Sequence, residues 1–204
     1  MPDQTPCIDL SRLESVYAPL ADSIRRLIDI SIRTEAEPAA VAAAQAKIDA
    51  AAAELSEAAP PGPVGVHYLP DGQTVAWGNA VVGVRNPVAP PLVVHHEPDG
   101  VVWSEFTLGA AYEGPPGHVH GGICALVLDH VLGATAHRPG RPAYTGTLTL
   151  RYRRRTALER PLRVQAHVER TEGVKTFAVG HLADEDGVTV EAEGIFIHPR
   201  QSPA

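Results

Sequence analysis

The run Val119-His120-Gly121-Gly122-Ile123-Cys124-Ala125-Leu126-Val127-Leu128-Asp129-His130-Val131-Leu132-Gly133-Ala134-Thr135-Ala136-His137 is the only long helical pattern in the last two-thirds of the chain. Apolar side chains fall on every side of it, so this helix is expected to be buried nearly all round. Two glycines at its start let a ligand approach the backbone closely, and the first N–H groups of a helix lack intrahelical acceptors. Such groups can donate to a developing oxyanion, helped by the positive end of the helix dipole. Asp129 lies mid-helix among apolar neighbours, where an unpaired carboxylate is costly. It reads as a general base or nucleophile beside a bound carbonyl, or else as a buried, paired structural aspartate.

Four runs with strand character follow the helix, Tyr144–Arg154, Leu162–Glu169, Lys175–Ala183 and Val188–His198, with turns at Gly140, Gly173 and Asp186-Gly187. Three shorter ones precede it, Ala80–Val84, Leu92–His95 and Val101–Leu108. Several antiparallel strands and one buried helix predict an α+β domain in which a curved antiparallel sheet wraps one long central helix.

Residues 11–58 read as two helices forming a hairpin laid against that domain. Ser11 and Glu14 have capping-box spacing, and Pro19 is expected to start or interrupt a helix. Leu20, Ile24, Leu27, Ile28 and Ile32 then make one apolar stripe, and Pro38 opens an alanine-rich run to about Ala58. Pro60-Pro61-Gly62-Pro63 closes the region. The expected organisation is a helical extension over 1–60, a linker over 61–78, the main domain over 79–198 and a tail over 199–204.

The 204 residues, 44% hydrophobic and 20% charged, suit one compact catalytic domain. A net charge of −7, with 10 acidic and 5 basic residues in 1–60, argues against binding nucleic acid. Neither a secretory signal nor a membrane span is recognisable, so a cytoplasmic protein is expected. Cys7 and Cys124 are too few for a disulfide framework and wrongly spaced for zinc. His95 and His96 should point to opposite faces of a strand, and His118 and His120 have no suitably placed third ligand, so no metal is expected.

Gly121 and Asp129 are eight residues apart, which on one helix is about 12 Å of axial rise. They cannot both touch one carbonyl carbon. If both are catalytic, Gly121 of one subunit must face Asp129 of another, which places the site at a homodimer interface.

The run Glu113-Gly114-Pro115-Pro116-Gly117-His118-Val119-His120-Gly121-Gly122, with Asp129 nine residues after His120, resembles the motif of hotdog-fold acyl-CoA thioesterases of the phenylacetate-degradation and thioesterase-superfamily type. The likeness continues through Thr145, Leu148, Leu150, Tyr152, Arg153, Leu158 and Glu172-Gly173, over about residues 79–198. It implies a hotdog fold and hydrolysis of an acyl-CoA thioester without a cofactor, coenzyme A being part of the substrate. It also implies Asp129 as the catalytic carboxylate, the Gly121 amide polarising the carbonyl, His120 shaping the turn, and Thr145 helping to hold the water or the carboxylate. Gly122 and Glu113 fall at the substrate side of the same turn. Some branches carry Asn or Gln shortly before it, whereas this chain has Gly114-Pro115-Pro116-Gly117 with Glu113 nearest, and the proline expected after Tyr-x-Arg is replaced by Arg154 or Arg155.

Arg151, Arg153 and Arg155 share one face at the end of a strand, either as a solvated strand end or as a clamp for CoA phosphates. Partners implied are acyl-CoA and a second copy, in a homodimer or a dimer of dimers. Two other activities stay open: an acyl-CoA-binding hotdog protein with little turnover, and a hydratase or dehydratase of acyl thioesters.

Overall fold

A computed structural model describes residues 10–62, 65–68, 74–90, 92–137 and 142–199, without the side chains of 10–13, 67–68 and 74. Cys7, the Ser11 cap, the Gly140 turn, Pro63 and the tail from residue 200 lie outside this set. The elements are α1 (Leu10–Arg33), α2 (Pro38–Ser56), β1 (His67–Tyr68), β2 (Thr74–Val75), β3 (His95–His96), β4 (Val102–Phe106), a 3₁₀ turn (Ala110–Tyr112), α3 (Gly121–Ala136), β5 (Tyr144–Tyr152), β6 (Leu162–Glu172), β7 (Lys175–Asp184) and β8 (Gly187–Ile197).

Six strands form one antiparallel sheet in the order β3-β4-β6-β7-β8-β5, with α3 packed across it as expected for a hotdog fold. Period-two alternation puts Leu162, Val164 and Ala166 of β6 and Val190, Ala192 and Phe196 of β8 on the helix side, where all are buried. They meet Val127, Leu128, Val131 and Leu132 of α3, each at 0% exposure. Burying four such side chains stabilises the layer by roughly 1.5–3 kcal/mol each. The helix is nevertheless not buried all round. Ile123, Leu126, Asp129 and Ala134 are half-buried, because one sheet covers one side of a cylinder.

β5 is one edge of the sheet, β3 the other. Among the described residues β5 pairs only with β8, and none of its residues is fully buried.

The N-terminal region holds the two expected helices and departs from expectation at Pro19. α1 runs through Pro19 without interruption, so the single lost N–H donor does not end the helix. It is held beyond Pro19 by docking. Arg25 donates to the carbonyls of Asn86 (2.9 Å) and Ala89 (3.2 Å), and Arg85 lies over the Tyr17 ring at 3.8 Å. α2 begins at Pro38 as expected and buries none of its residues, while Glu54 and Leu55 at its end face Tyr17, Leu20 and Ile24 of α1 across a cleft of about 790 Å³ that Trp77 and Arg85 also line.

The expected strand Ala80–Val84 is instead a series of turns. The Asn79 side chain accepts from the amides of Val81 (2.8 Å) and Val82 (3.1 Å), satisfying donors that a strand would have paired across a ladder. Gly83 is required there, since a Cβ would fall 2.7 Å from Asn79 N and closer still to the Asn79 and Trp77 carbonyls. Of Leu92–His95 only His95 enters a strand, while β1 and β2 form a small separate pair inside the expected linker.

Candidate active site

The segment before α3 is closed on itself by short-range bonds. Gly114 N–H donates to His118 O (2.9 Å) and His118 N–H to Pro115 O (2.9 Å), while the Glu113 carboxylate accepts from Gly117 N–H at 2.6 Å. Glu113 therefore braces the turn. His120 is the N-cap of α3, and its Nδ1 accepts from Gly122 N–H at 3.0 Å. The accepting nitrogen carries no proton in this arrangement, so the ring hydrogen sits on Nε2.

This cap separates the two glycines. The Gly122 amide is taken by the His120 ring, whereas the Gly121 amide has no acceptor among the described residues. Gly121 is the first helical residue, so its N–H projects from the helix start with the dipole behind it. Its own carbonyl accepts from the Tyr152 hydroxyl at 2.9 Å, and a Cβ at Gly121 would touch that ring at 3.4 Å.

Asp129 is half-buried two turns further along α3, and Thr145 Oγ1 donates to its Oδ1 at 2.9 Å. Strand parity alone would not bring Thr145 there. Leu148, Leu150 and Tyr152 face the helix, so unbroken alternation would also turn Gly146 toward it and Thr145 away. The ladder slips between Thr145 and Thr147, and this bulge re-aims Thr145 onto Asp129. β5 thus holds two points of α3, Asp129 through Thr145 and Gly121 through Tyr152. Neighbouring His130 is half-buried, and its imidazole is held below the usual histidine range by burial, with the Asp129 charge opposing.

A pocket of about 310 Å³ opens beside the helix start, lined among others by His118, Gly121, Cys124, Tyr152, Arg155 and Thr156. Burial pushes the Cys124 thiol up, with the Thr156 hydroxyl 3.8 Å away, so the thiolate needed for reaction is suppressed. A larger cleft of about 450 Å³ lies under α1 between Ile28, Arg33 and Thr107, and includes neither Gly121 nor Asp129.

The arginine run does not stay on one face. Arg151 and Arg153 point along the outer surface and pair with Glu193 (3.0 Å) and Glu191 (2.7 Å) of β8. Beyond Tyr152 the strand ends, and the amides of Arg153 and Arg154 both reach Thr189 O. Arg154 then forks onto the nearly buried Asp184 and also reaches Gly187 O (2.6 Å). Arg155 turns into the pocket beside Gly121 and has no hydrogen-bond or ion-pair partner among the described residues. The expected trio on one strand face is therefore corrected. Chain direction after a strand end depends on distant carbonyls, here Thr189, and period two cannot foresee it.

The two residue pairs with motif-like histidines are occupied otherwise. His118 Nδ1 lies 2.7 Å from Pro116 O, and His95 stacks on Trp103 at 4.2 Å. Among the described residues no group of three His, Cys, Asp or Glu could hold a metal ion. No described helix is long and apolar enough to cross a membrane.

Residues 116–191 match the family model of the thioesterase superfamily. A crystal structure of a thioesterase superfamily protein superposes with a TM-score of 0.81 at 35% identity, covering 89% of this chain and 90% of that one. The chain belongs to the thioesterase superfamily. Within it, acyl-coenzyme A thioesterase THEM5 of Homo sapiens is 27% identical over 94 residues, which are 45% of this chain and 38% of that protein. Acyl-coenzyme A thioesterase THEM4 of Xenopus laevis is 33% identical over 94 residues, 45% of this chain and 42% of that protein. These matches span about two fifths of the length of either relative.

Proposed function

We propose that this thioesterase superfamily member hydrolyses acyl-CoA thioesters at a site shared by two copies of the chain. The observation that carries the reading is the pairing of an unengaged Gly121 amide at the start of α3 with a Thr145-oriented carboxylate at Asp129 on the same helix. The names of the two acyl-CoA thioesterase relatives support the substrate class. The two groups are about 12 Å apart along the axis, so each serves a carbonyl bound with the opposite group of the partner. The open β5 edge, beside both groups, is the surface through which a second copy is joined.

In the general-base route, the thioester oxygen accepts the Gly121 N–H of one chain. In the other chain Thr145 donates to one oxygen of its own Asp129, and the free oxygen takes a proton from an attacking water. The tetrahedral intermediate places its negative charge against the amide and the helix dipole. Its collapse expels the CoA sulfur, which recovers the proton from Asp129, giving free acid and thiol. In the nucleophilic route Asp129 itself attacks the carbonyl carbon and the CoA thiolate leaves, giving a mixed anhydride that water opens to free acid and the Asp129 carboxylate, the second proton of that water going to the thiolate. Single turnover in ¹⁸O water separates the two, since only the second labels Asp129. His120 keeps the turn in shape in both routes, and no metal or cofactor takes part.

Arg155, unpaired at the pocket mouth, is the guanidinium best placed for a CoA phosphate. Arg151 and Arg153 would first have to leave Glu193 and Glu191. Catalysis is assigned to residues 79–198, with 1–60 as a helical extension, 61–78 as a linker and 199–204 as a tail.

Complementation tests the shared site. Asp129→Asn and Gly121→Pro chains are each inactive alone, but random mixed dimers contain one intact site of two and restore about a quarter of wild-type thiol release. No recovery after demonstrated subunit exchange would place both groups in one chain's site and sink the proposal.

A further inference from the structure

The cleft of about 790 Å³ between α1 and the end of α2 includes neither Gly121 nor Asp129. Leu20, Ala21 and Ile24 of α1 form one wall, and Leu55 with Ala58 and Ala59 just past α2 forms the other. Both walls are apolar, yet they do not close on each other, and Leu20 and Leu55 stay 37% and 52% exposed. A gap of this size is far larger than the voids that protein packing leaves, and it falls in the range of small-molecule pockets.

One cation faces the gap. The Arg85 guanidinium lies over the Tyr17 ring at 3.8 Å and 5.8 Å from the centre of the Trp77 ring, and both rings line the cleft. Stacking uses the flat faces of the group and leaves its N–H edge free. Arg85 is half-buried and has no hydrogen-bond or ion-pair partner among the described residues. Glu54, the one acid lining the cleft, is exposed and makes no ion pair with it. From Tyr17, where the cation sits, the α1 wall runs on to Ile24, about 10 Å further along the helix axis. The slot is therefore charged at one end and apolar beyond it.

We infer that this cleft binds a free carboxylic acid with an aliphatic chain, its carboxylate on Arg85 and its chain between Leu20 and Leu55. The N–H fork of a guanidinium matches the two oxygens of a carboxylate. A single guanidinium in a cleft that also carries Glu54 balances a monoanion, not a phosphate dianion. The site is separate from the proposed catalytic groups and stands whether or not the protein hydrolyses thioesters.

Titration of the full chain with dodecanoate, below its micelle concentration, tests the inference by calorimetry and by the emission of Trp77 in a Trp103→Phe background, Trp103 being the only other tryptophan. One saturable site per chain is expected, with a change in Trp77 emission and an affinity that rises about three- to fourfold per methylene from octanoate to dodecanoate. Arg85→Gln should weaken dodecanoate at least tenfold, and dodecylamine should bind wild type at least tenfold more weakly than dodecanoate does. Glu54→Gln should leave the affinity unchanged or raise it. Ala58→Trp, at an exposed position outside the core, should fill the gap and block binding, which keeps the test decisive if Arg85→Gln does not fold. No saturable binding of dodecanoate, equal affinity for dodecylamine, or binding unchanged by either Arg85→Gln or Ala58→Trp would each overturn the site. None of these readouts involves turnover, so its failure and that of the proposed hydrolysis are separate results.

Discussion

Replacing Gly121 with proline isolates the one group that the proposed chemistry takes from the helix start. Gly121 is the first helical residue, where proline is favoured because its missing N–H has no intrahelical acceptor. The preceding His120 has φ −60° and ψ 133°, the extended conformation that a following proline demands. A Cβ meets the Tyr152 ring at 3.4 Å, an ordinary contact. The amide being removed donates to nothing among the described residues, so folding loses no hydrogen bond with it. Stability is expected to change by less than about 1 kcal/mol, or a few degrees in Tm for a chain of this size. Turnover should fall by about 10²–10³, the effect of deleting one oxyanion donor, with kcat affected more than KM. Thiol release from an acyl-CoA, measured beside thermal unfolding and dimer mass, gives the answer. Turnover within fivefold of wild type in a folded protein would refute the role of the amide.

Asp129→Asn should lower kcat by about 10²–10⁴ while leaving Tm unchanged or slightly raised, because a half-buried charge is replaced by a neutral group of the same shape. Tyr152→Phe removes the hydroxyl that holds the Gly121 carbonyl and should cost about 1 kcal/mol of stability, with a parallel drop in kcat measured at saturating substrate. Gly83→Ala forces a side chain against the Asn79 and Trp77 carbonyls and should lower stability by roughly 2 kcal/mol in denaturant titrations. The Arg154 guanidinium holds the Asp184 carboxyl below its usual range, so the stabilisation it gives is complete above the unfolded value near 3.8 and is lost as pH falls through the folded value. Asp184→Asn should therefore lower Tm at pH 7 and flatten the dependence of stability on pH in the acid range.

What could be read before folding, and what could not, divides by the range of the forces involved. α3 was legible because a continuous apolar helix is a local pattern, and Asp129 stood out as the charge that pattern does not explain. The four long strands after it were legible for the same reason, as alternation is local. The Asn79 turn was not: Ala80–Val84 has β propensity, but two amides bonded to one side chain outcompete a ladder that has no partner strand at hand. Nor was the buttressing of α3 by β5. Tyr152 and Gly121 are 31 residues apart, and nothing near either announces the other. The fate of the arginines was equally hidden, since it turns on the charges that β8 presents and on where β5 stops.

The bulge at Gly146 shows why Thr145 and Tyr152 belong to one device. On a regular strand, residues seven apart point to opposite faces, so Thr145 and Tyr152 could not both reach the helix. The single slip between Thr145 and Thr147 changes that parity once. With it, one strand orients the carboxylate through Thr145 and anchors the helix start through Tyr152. Asp129 and Gly121 are then fixed relative to the same edge, the edge at which a second chain is proposed to join. A two-chain site needs its half-sites set accurately before the chains meet, because each carbonyl is to be gripped by groups from both. Deleting Gly146 sets Thr145 and Tyr152 six residues apart, on one face of a regular strand, and should therefore keep Thr145 on Asp129 and Tyr152 on Gly121. The expected result is a folded protein with wild-type KM and a kcat near wild type, well above that of Thr145→Ala. A deletion variant with the kcat of Thr145→Ala would show that strand parity is not what aims Thr145.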